Sequence, residues 1–136
     1  MAGDDADEAL IERADIRGLL ATTDKVAKLA MLRDTAVSYT SSGGPMIRVF
    51  RDAAASDPEL AEHWAEYERR RYSDMRVLVA SFGLLLREGL DLDRATDIVW
   101  SVLTMETADN FLHGRGWSLE DYADWLVDAF DRLLLQ

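Results

Sequence analysis

Apolar residues at steps of three and four run through this chain, and this helical spacing constrains its fold more than any other feature. The longest stripe follows Asp57-Pro58. This dipeptide favours a helix start because the carboxylate caps the first turn and proline suits the first helical position. Gly89 follows the stripe, so one long helix is predicted over residues 57–87. The stripe consists of Leu60, Trp64, Tyr67, Arg71, Met75, Leu78, Val79, Phe82 and Leu85.

The rest of the chain has the same periodicity, with only two prolines and eight glycines in the whole sequence. No alternating pattern typical of a strand is convincing. Residues 1–8 are acidic and are expected to be a disordered amino terminus. The sequence therefore predicts an all-α fold in which residues 9–136 form a single domain of five to six helices. These helices are predicted over residues 9–21, 25–40, 45–55, 57–87, 93–112 and 118–135.

The charge balance argues against a nucleic-acid partner. The formal net charge is −11, and the dense basic run Arg69-Arg70-Arg71 is spread around a helix, so it forms no single basic face. The absence of cysteine excludes disulfides and thiolate metal sites. No apolar run is long enough for a membrane-spanning helix. The acidic first residues argue against a leader peptide, and a cytoplasmic location is expected.

One group of residues offers acid–base chemistry. Glu106, Asn110 and His113 fall at i, i+4 and i+7 on one predicted helix face, and Asp109 lies beside them. The same residues are typical of a solvated helix end, and this interpretation is favoured. A di-iron site is excluded because neither His63 nor His113 has a glutamate three residues before it. No metal and no cofactor is predicted.

Aromatic and methionine side chains recur on the predicted helices between residues 45 and 112. Such side chains line apolar ligand pockets, although spacing alone favours an ordinary core. Arg71 is the unusual member, because a charge within an apolar stripe must reach water, pair with a carboxylate or bind an anionic group of a ligand. The candidate ligand-binding residues are Met46, Phe50, Trp64, Tyr67, Arg71, Met75, Trp100, Thr104 and Met105.

The last two predicted helices are apolar over more than one stripe. This surface exceeds what one neighbouring helix would cover, and in a domain of this size such an excess indicates a partner chain. The candidate interface residues are Val99, Val102, Leu126, Phe130, Leu133 and Leu134.

The order of several segments resembles the carboxy-terminal, ligand-binding half of TetR-type transcriptional regulators. Residues 3–24 resemble the segment after the central connecting helix of these proteins, and Ala53-Ala54-Ala55-Ser56-Asp57-Pro58-Glu59-Leu60 resembles the start of their long pocket helix. Asp97-Ile98-Val99-Trp100-Ser101-Val102-Leu103-Thr104 and Arg115-Gly116-Trp117-Ser118 resemble their two carboxy-terminal helices. Met1 stands where the family would be in mid-chain, so the expectation is that the DNA-binding helix-turn-helix is absent.

This resemblance implies an antiparallel helical bundle. It also implies that the last two helices form a homodimer interface with a second subunit. A small, mostly apolar ligand is expected among the helices at 45–55, 57–87 and 93–112. In this sequence Thr104-Met105-Glu106-Thr107 stands where the family often has a turn of the Thr-Ser-Pro-Glu type, which adds polarity near the expected pocket.

Three functions stay open at this point. The favoured one is a ligand-sensing and dimerisation domain of a TetR-like regulator. The second is a free-standing, cofactor-independent enzyme of the cyclase or isomerase type. Its candidate catalytic residues are Glu106, Asp109 and His113, with Tyr67 and Arg71 as further candidates. The third is an interaction module that forms heterodimers with full-length regulators through the last predicted helix.

Overall fold

The computed structural model describes residues 14–136, and α-helices dominate this part of the chain. Six of its helices have eight residues or more, and the described residues contain no strand beyond one isolated bridge. The predicted all-α fold is thus confirmed. Residues 1–8 and the first part of the predicted 9–21 helix lie outside the described residues. The helices are α1 (Ala14–Ala21), α2 (Lys25–Ser42), α3 (Gly44–Ala54), α4 (Pro58–Ala80), α5 (Leu92–Val102), α6 (Met105–Asp109) and α7 (Leu119–Leu134).

Capping side chains begin four of these helices where the sequence predicts a start. Asp57 accepts a hydrogen bond of 3.0 Å from the backbone amide of Glu59 at the start of α4. Asp24, Asp91 and Ser118 cap α2, α5 and α7, each by accepting from an amide three residues further on. Because such a cap stabilises a helix by about 1 kcal/mol relative to alanine, local sequence is enough to place these starts.

Helix α4 ends at Ala80, earlier than the predicted residue 87. The chain then turns through Gly83, whose φ of +51° is a left-handed conformation that favours glycine. Beyond this turn, Leu86 pairs in an antiparallel bridge with Leu135 near the carboxy terminus. The prediction of a helix to residue 87 is therefore wrong, because Gly83 and a non-local backbone pairing end it before Gly89.

The predicted helix over residues 93–112 is interrupted between α5 and α6. The Thr104 hydroxyl oxygen accepts a hydrogen bond of 3.1 Å from the amide of Thr107 and caps a new helix start. Helix α6 then passes into a turn of π-helix over Asn110–Gly114. The prediction of one continuous helix is wrong, because a threonine side chain can replace the helical hydrogen bond at such a point.

Gly43 alone separates α2 from α3, although Thr40-Ser41-Ser42-Gly43-Gly44 predicts an earlier end to α2. The Ser42 hydroxyl donates a hydrogen bond of 2.5 Å to the carbonyl oxygen of Ser38. Gly43 keeps right-handed helical angles, with φ −96° and ψ −24°. Helix α3 therefore follows α2 at once, which places its aromatic residue Phe50 close to α4.

The main core lies where α1, α2, α4, α5 and α7 meet. Helix α4 packs against α3 and α5, and α2 packs against α1, α3 and α7. A smaller apolar cluster joins α6 to α7 through Ala108, Tyr122 and Leu126. Within residues 14–136, no helix combines the length and the apolar character needed to cross a membrane. The buried residues of the main core are Leu19, Leu32, Val79, Phe82, Ala95, Val99, Phe130, Leu134 and Leu135.

Candidate ligand-binding site

An aromatic cluster, defined as Tyr39, Phe50, Trp64 and Tyr67, joins α2, α3 and α4. Phe50 meets Trp64 edge-on with ring centroids 5.1 Å apart, and Trp64 stacks on Tyr67 at 5.0 Å. The hydroxyl groups of Tyr39 and Tyr67 are hydrogen-bonded to each other. Burial raises the pKa of both phenols, so they stay neutral near physiological pH. The aromatic cluster therefore combines flat apolar faces with two neighbouring hydroxyl groups.

Arg71 lies one turn after Tyr67 on α4 and binds the carboxyl end of α5. Its side chain is 15% exposed, and its guanidinium donates to the carbonyl oxygens of Trp100 at 3.1 Å and Leu103 at 3.3 Å. Glu68 pairs with the same guanidinium at 3.3 Å. Because the last carbonyls of a helix carry partial negative charge, Arg71 stabilises the end of α5. Pairing with a carboxylate, one of the roles predicted for Arg71, is thus observed.

Trp100 on α5 carries a buried polar atom without a partner. Within residues 14–136, its indole Nε1 makes no hydrogen bond. The Arg71 guanidinium lies 5.0 Å from the centroid of the Trp100 ring, and the centroid of the Tyr72 ring lies 6.2 Å from it. A buried N–H without an acceptor costs about 1–3 kcal/mol, so folded proteins rarely keep one. Among the described residues, this is the one buried side-chain nitrogen or oxygen in that state.

The remaining predicted ligand-binding residues lie elsewhere. Met46 is 78% exposed on α3, and Met75 packs against the main core. Thr104 caps α6, and Met105 lies against the buried Gly44. The structure thus gives each of these four residues a position outside the aromatic cluster.

Two concave surfaces among the described residues lie away from the predicted pocket. One surrounds the turn at residues 81–85, and neither is lined by the aromatic cluster or by Trp100. Between α3 and α4 the aromatic rings instead pack on one another. The other concave surface lies between α1 and α2 and is lined by Asp15, Gly18, Met31, Asp34 and Thr35.

The predicted acid–base group is rearranged around Arg48, a residue of α3. The Arg48 Nε atom donates to both carboxylate oxygens of Asp109 at 3.1 Å, and its Nη2 atom lies 3.3 Å from His113 Nε2. Arg51 approaches the same carboxylate at 3.7 Å. Glu106 is exposed and, within residues 14–136, has no hydrogen bond to this group. Both Glu106 and His113 are exposed, which fits the favoured interpretation of a solvated helix end.

Asp109 is held as a carboxylate by these cations. The hydrogen bond from Arg48 lowers the pKa of Asp109, and the charges of Arg51 and His113 lower it further. A group with a lowered pKa is a poor proton carrier near neutral pH. Among residues 14–136, no set of three or more histidine or carboxylate side chains is arranged to hold a metal ion. Helical periodicity does not identify Arg48 as a member of this group, because it does not predict which residues of different helices come into contact.

Most of the predicted interface residues fill the core of this chain. Because side chains buried within one chain cannot contact a second, the predicted interface has to be corrected. Val102 is half-buried and Leu133 is 38% exposed, so these two remain available to a partner. The four residues that belong to the core instead are Val99, Leu126, Phe130 and Leu134.

Lys28 is a fully buried cation that the sequence pattern does not identify. Its ammonium group donates to the carbonyl oxygens of Leu19 at 2.6 Å, Leu20 at 3.2 Å and Thr22 at 3.0 Å, where α1 ends. It also lies 4.8 Å from the ring centroid of Phe82. Burial lowers the pKa of Lys28. A lysine in an amphipathic helix is ordinarily at the surface, so the sequence gives no signal of this burial.

Comparisons with known proteins give no family assignment. We find no significant match to a protein-family model, to a curated protein or to a solved structure. The TetR-type resemblance therefore remains a prediction that rests on the order and spacing of sequence segments. An all-α bundle agrees with it, but unrelated families share this fold class, so a function has to be argued from the site.

Proposed function

We propose that this chain is a small-molecule-sensing and dimerisation domain of the TetR-regulator type. The observation that carries the proposal is the buried Trp100 indole N–H, which lacks an acceptor and belongs to the residue set that the sequence pattern selects for ligand contact. Three further members of that set, Phe50, Trp64 and Tyr67, are in mutual ring contact. Arg71 connects Trp100 to the helix that carries Trp64 and Tyr67.

Ligand entry in this proposal moves α5 relative to α4. Arg71 now holds the two helices together through the carbonyl groups of Trp100 and Leu103. A ligand that reaches the Trp100 N–H would have to displace part of this packing. It would favour a second arrangement of α5 in proportion to its difference in affinity for the two arrangements. Such a shift is the response that a sensing domain requires.

The dimerisation half of the proposal rests on α5 and α7, which pack against each other. On α5, Val102 keeps partly exposed apolar surface. Helix α7 also keeps partly exposed apolar surface, at Trp125, Ala129 and Leu133. Their spacing of four residues places them along one edge of the helix. A second subunit is proposed to cover this edge, so that movement of α5 would reach the partner.

A panel of small apolar compounds tests the sensing half through the thermal midpoint, read by circular dichroism. At 100 times its dissociation constant, a ligand adds about 2.7 kcal/mol to stability, which raises the midpoint by roughly 8 °C. We expect Trp64→Ala to abolish this shift. Trp117→Ala is the matched control, because Trp117 packs on Phe111 away from the aromatic cluster. A panel in which no compound raises the midpoint would refute the sensing function.

Sedimentation equilibrium tests the dimerisation half. The chain is expected to be a dimer at micromolar concentration, and Leu133→Glu is expected to make it a monomer because a carboxylate would be buried in the contact. Val77→Glu is the control, since Val77 on α4 is equally exposed, at 38%, and lies outside the proposed edge. A monomeric wild-type chain would contradict this half of the proposal.

A further inference from the structure

We infer that the ligand is an uncharged, largely apolar molecule that presents one hydrogen-bond acceptor oxygen to the indole N–H of Trp100. The inference rests on the proposed sensing function and names the chemical class of its ligand. Two observations carry it: the unpartnered Nε1 atom of Trp100, and the pairing of the neighbouring Arg71 guanidinium with Glu68 and with two carbonyl oxygens.

The indole nitrogen sets the first requirement. An indole N–H only donates, so the ligand atom that satisfies it has to be an acceptor such as a carbonyl or ether oxygen. A ligand of the same shape without that atom would leave the buried N–H unpaired. The loss of about 1–3 kcal/mol corresponds to a 5- to 150-fold weaker affinity.

The charges around Trp100 set the second requirement. Arg71 already donates to Glu68 and to two carbonyl oxygens at the end of α5, so its charge is compensated and three of its five N–H donors are used. An anionic ligand would meet the Glu68 carboxylate and the negative end of the α5 dipole. A cationic ligand would meet the Arg71 guanidinium, which lies 5.0 Å from the centroid of the Trp100 ring. An uncharged acceptor avoids both repulsions.

Three naphthalene probes separate these requirements. 2-Acetylnaphthalene carries a neutral carbonyl, 2-isopropenylnaphthalene replaces its oxygen with a methylene group, and 2-naphthoate carries a charge. Binding is followed by NMR of the ¹⁵N-labelled chain, in which each of the four tryptophans gives one indole N–H resonance. Trp100→Phe assigns the Trp100 resonance. If that variant does not fold, Phe substitutions of the other three tryptophans assign it by elimination.

We expect 2-acetylnaphthalene to bind at least about 5-fold more tightly than each of the other two probes and to move the Trp100 indole proton downfield. In Trp100→Phe the affinities of the acetyl and isopropenyl probes should become equal. Trp117→Phe should keep the difference, because Trp117 is 39% exposed and lies outside the aromatic cluster.

Equal affinity of the acetyl and isopropenyl probes for the wild-type chain would overturn the inference. So would tighter binding of 2-naphthoate, or binding of the acetyl probe without movement of the Trp100 resonance. A Trp100 indole proton that exchanges rapidly with solvent in the free chain would identify water as its acceptor and would also refute it. In all these cases a panel compound could still raise the thermal midpoint through contacts with the aromatic cluster, so the sensing function would survive without the Trp100 hydrogen bond. Failure of the whole panel is the separate result that refutes the sensing function.

Discussion

The Nζ atom of Lys28 lies 2.6 Å from the carbonyl oxygen of Leu19, in the last turns of α1. Lys28 has no exposed surface, and two more carbonyl oxygens, from Leu20 and Thr22, accept its other protons. A helix end normally leaves its last carbonyl groups to water or to a cap, and here a buried ammonium group takes that role. The hydrogen bonds of Lys28 therefore hold α1 against α2 within the core.

Lys28→Met should destabilise the chain. Methionine keeps much of the volume but leaves the three carbonyl oxygens without their donor, and the Leu19 oxygen is buried. Removal of a desolvated charge offsets part of this loss, and the expected net cost is about 2 kcal/mol in the free energy of unfolding by urea. Lys25→Met is the control. Its ammonium group binds the half-buried Asp131 and the backbone carbonyl oxygen of the exposed Gln136, so a change below about 1 kcal/mol is expected. Equal losses of stability in the two variants would contradict a stabilising role of the buried Lys28 ammonium group.

Helix starts could be predicted from sequence because caps are local. Asp24, Asp57 and Ser118 each act on amides within three residues, so their effect is visible in the sequence. The end of α4 could not be predicted in this way. Gly83 and Gly89 are both able to stop a helix. The backbone pairing of Leu86 with Leu135, which is distant in sequence, requires the helix to end before Leu86.

Alkaline pH should reveal the burial of Tyr122, which raises the pKa of its phenol from 10.0 to about 12. The pKa of Tyr122 is higher in the folded than in the unfolded chain. The stability that depends on a neutral Tyr122 phenol is therefore complete below pH 10 and is lost as the pH rises through about 12. Between pH 9 and pH 11 the wild-type chain should lose about 1.3 kcal/mol relative to Tyr122→Phe. Guanidinium unfolding at both pH values measures this difference, and parallel profiles for the two proteins would contradict it.

Asp109→Asn should destabilise the chain near neutral pH, by about 1–2 kcal/mol, because Arg48 loses a two-oxygen partner. The folded pKa of Asp109 is lowered, so its contribution is present above the ordinary value of 3.8 and is lost as the pH falls through the folded pKa. The difference from wild type should therefore shrink towards pH 3 in urea unfolding. Asp128→Asn, which breaks the exposed pair with Arg132, should cost less than about 0.5 kcal/mol at pH 7. A difference for Asp109→Asn that does not change with pH would contradict the role of its charge.

Arg71→Met should loosen the end of α5. The carbonyl oxygens of Trp100 and Leu103 lose their donor, so we expect a cost of about 2 kcal/mol and faster amide hydrogen exchange near the end of α5. Arg69→Met is the control, because Arg69 is 69% exposed and pairs with Glu66 at the surface. Unchanged amide exchange near residues 100–105 in Arg71→Met would show that Arg71 does not hold the end of α5.

The aromatic members of the candidate site could be selected from sequence, whereas their surroundings could not. Phe50, Trp64 and Tyr67 stand at helical spacings on adjacent helices, which predicts that they share a face of the bundle. Periodicity shows that a face is apolar but not what covers it. Periodicity therefore predicts Val99 and Phe130 at a subunit interface, whereas in the structure they lie in the core of the chain.

We propose that a small molecule binds beside Trp100 and the aromatic cluster. A crystal structure of the chain, grown with the panel compound that raises the thermal midpoint most, tests it directly. We expect electron density for the compound with an acceptor atom within hydrogen-bonding distance of Trp100 Nε1 and with contacts to Tyr67. Density confined to the surface between α1 and α2, or to any other place away from Trp100, would contradict it.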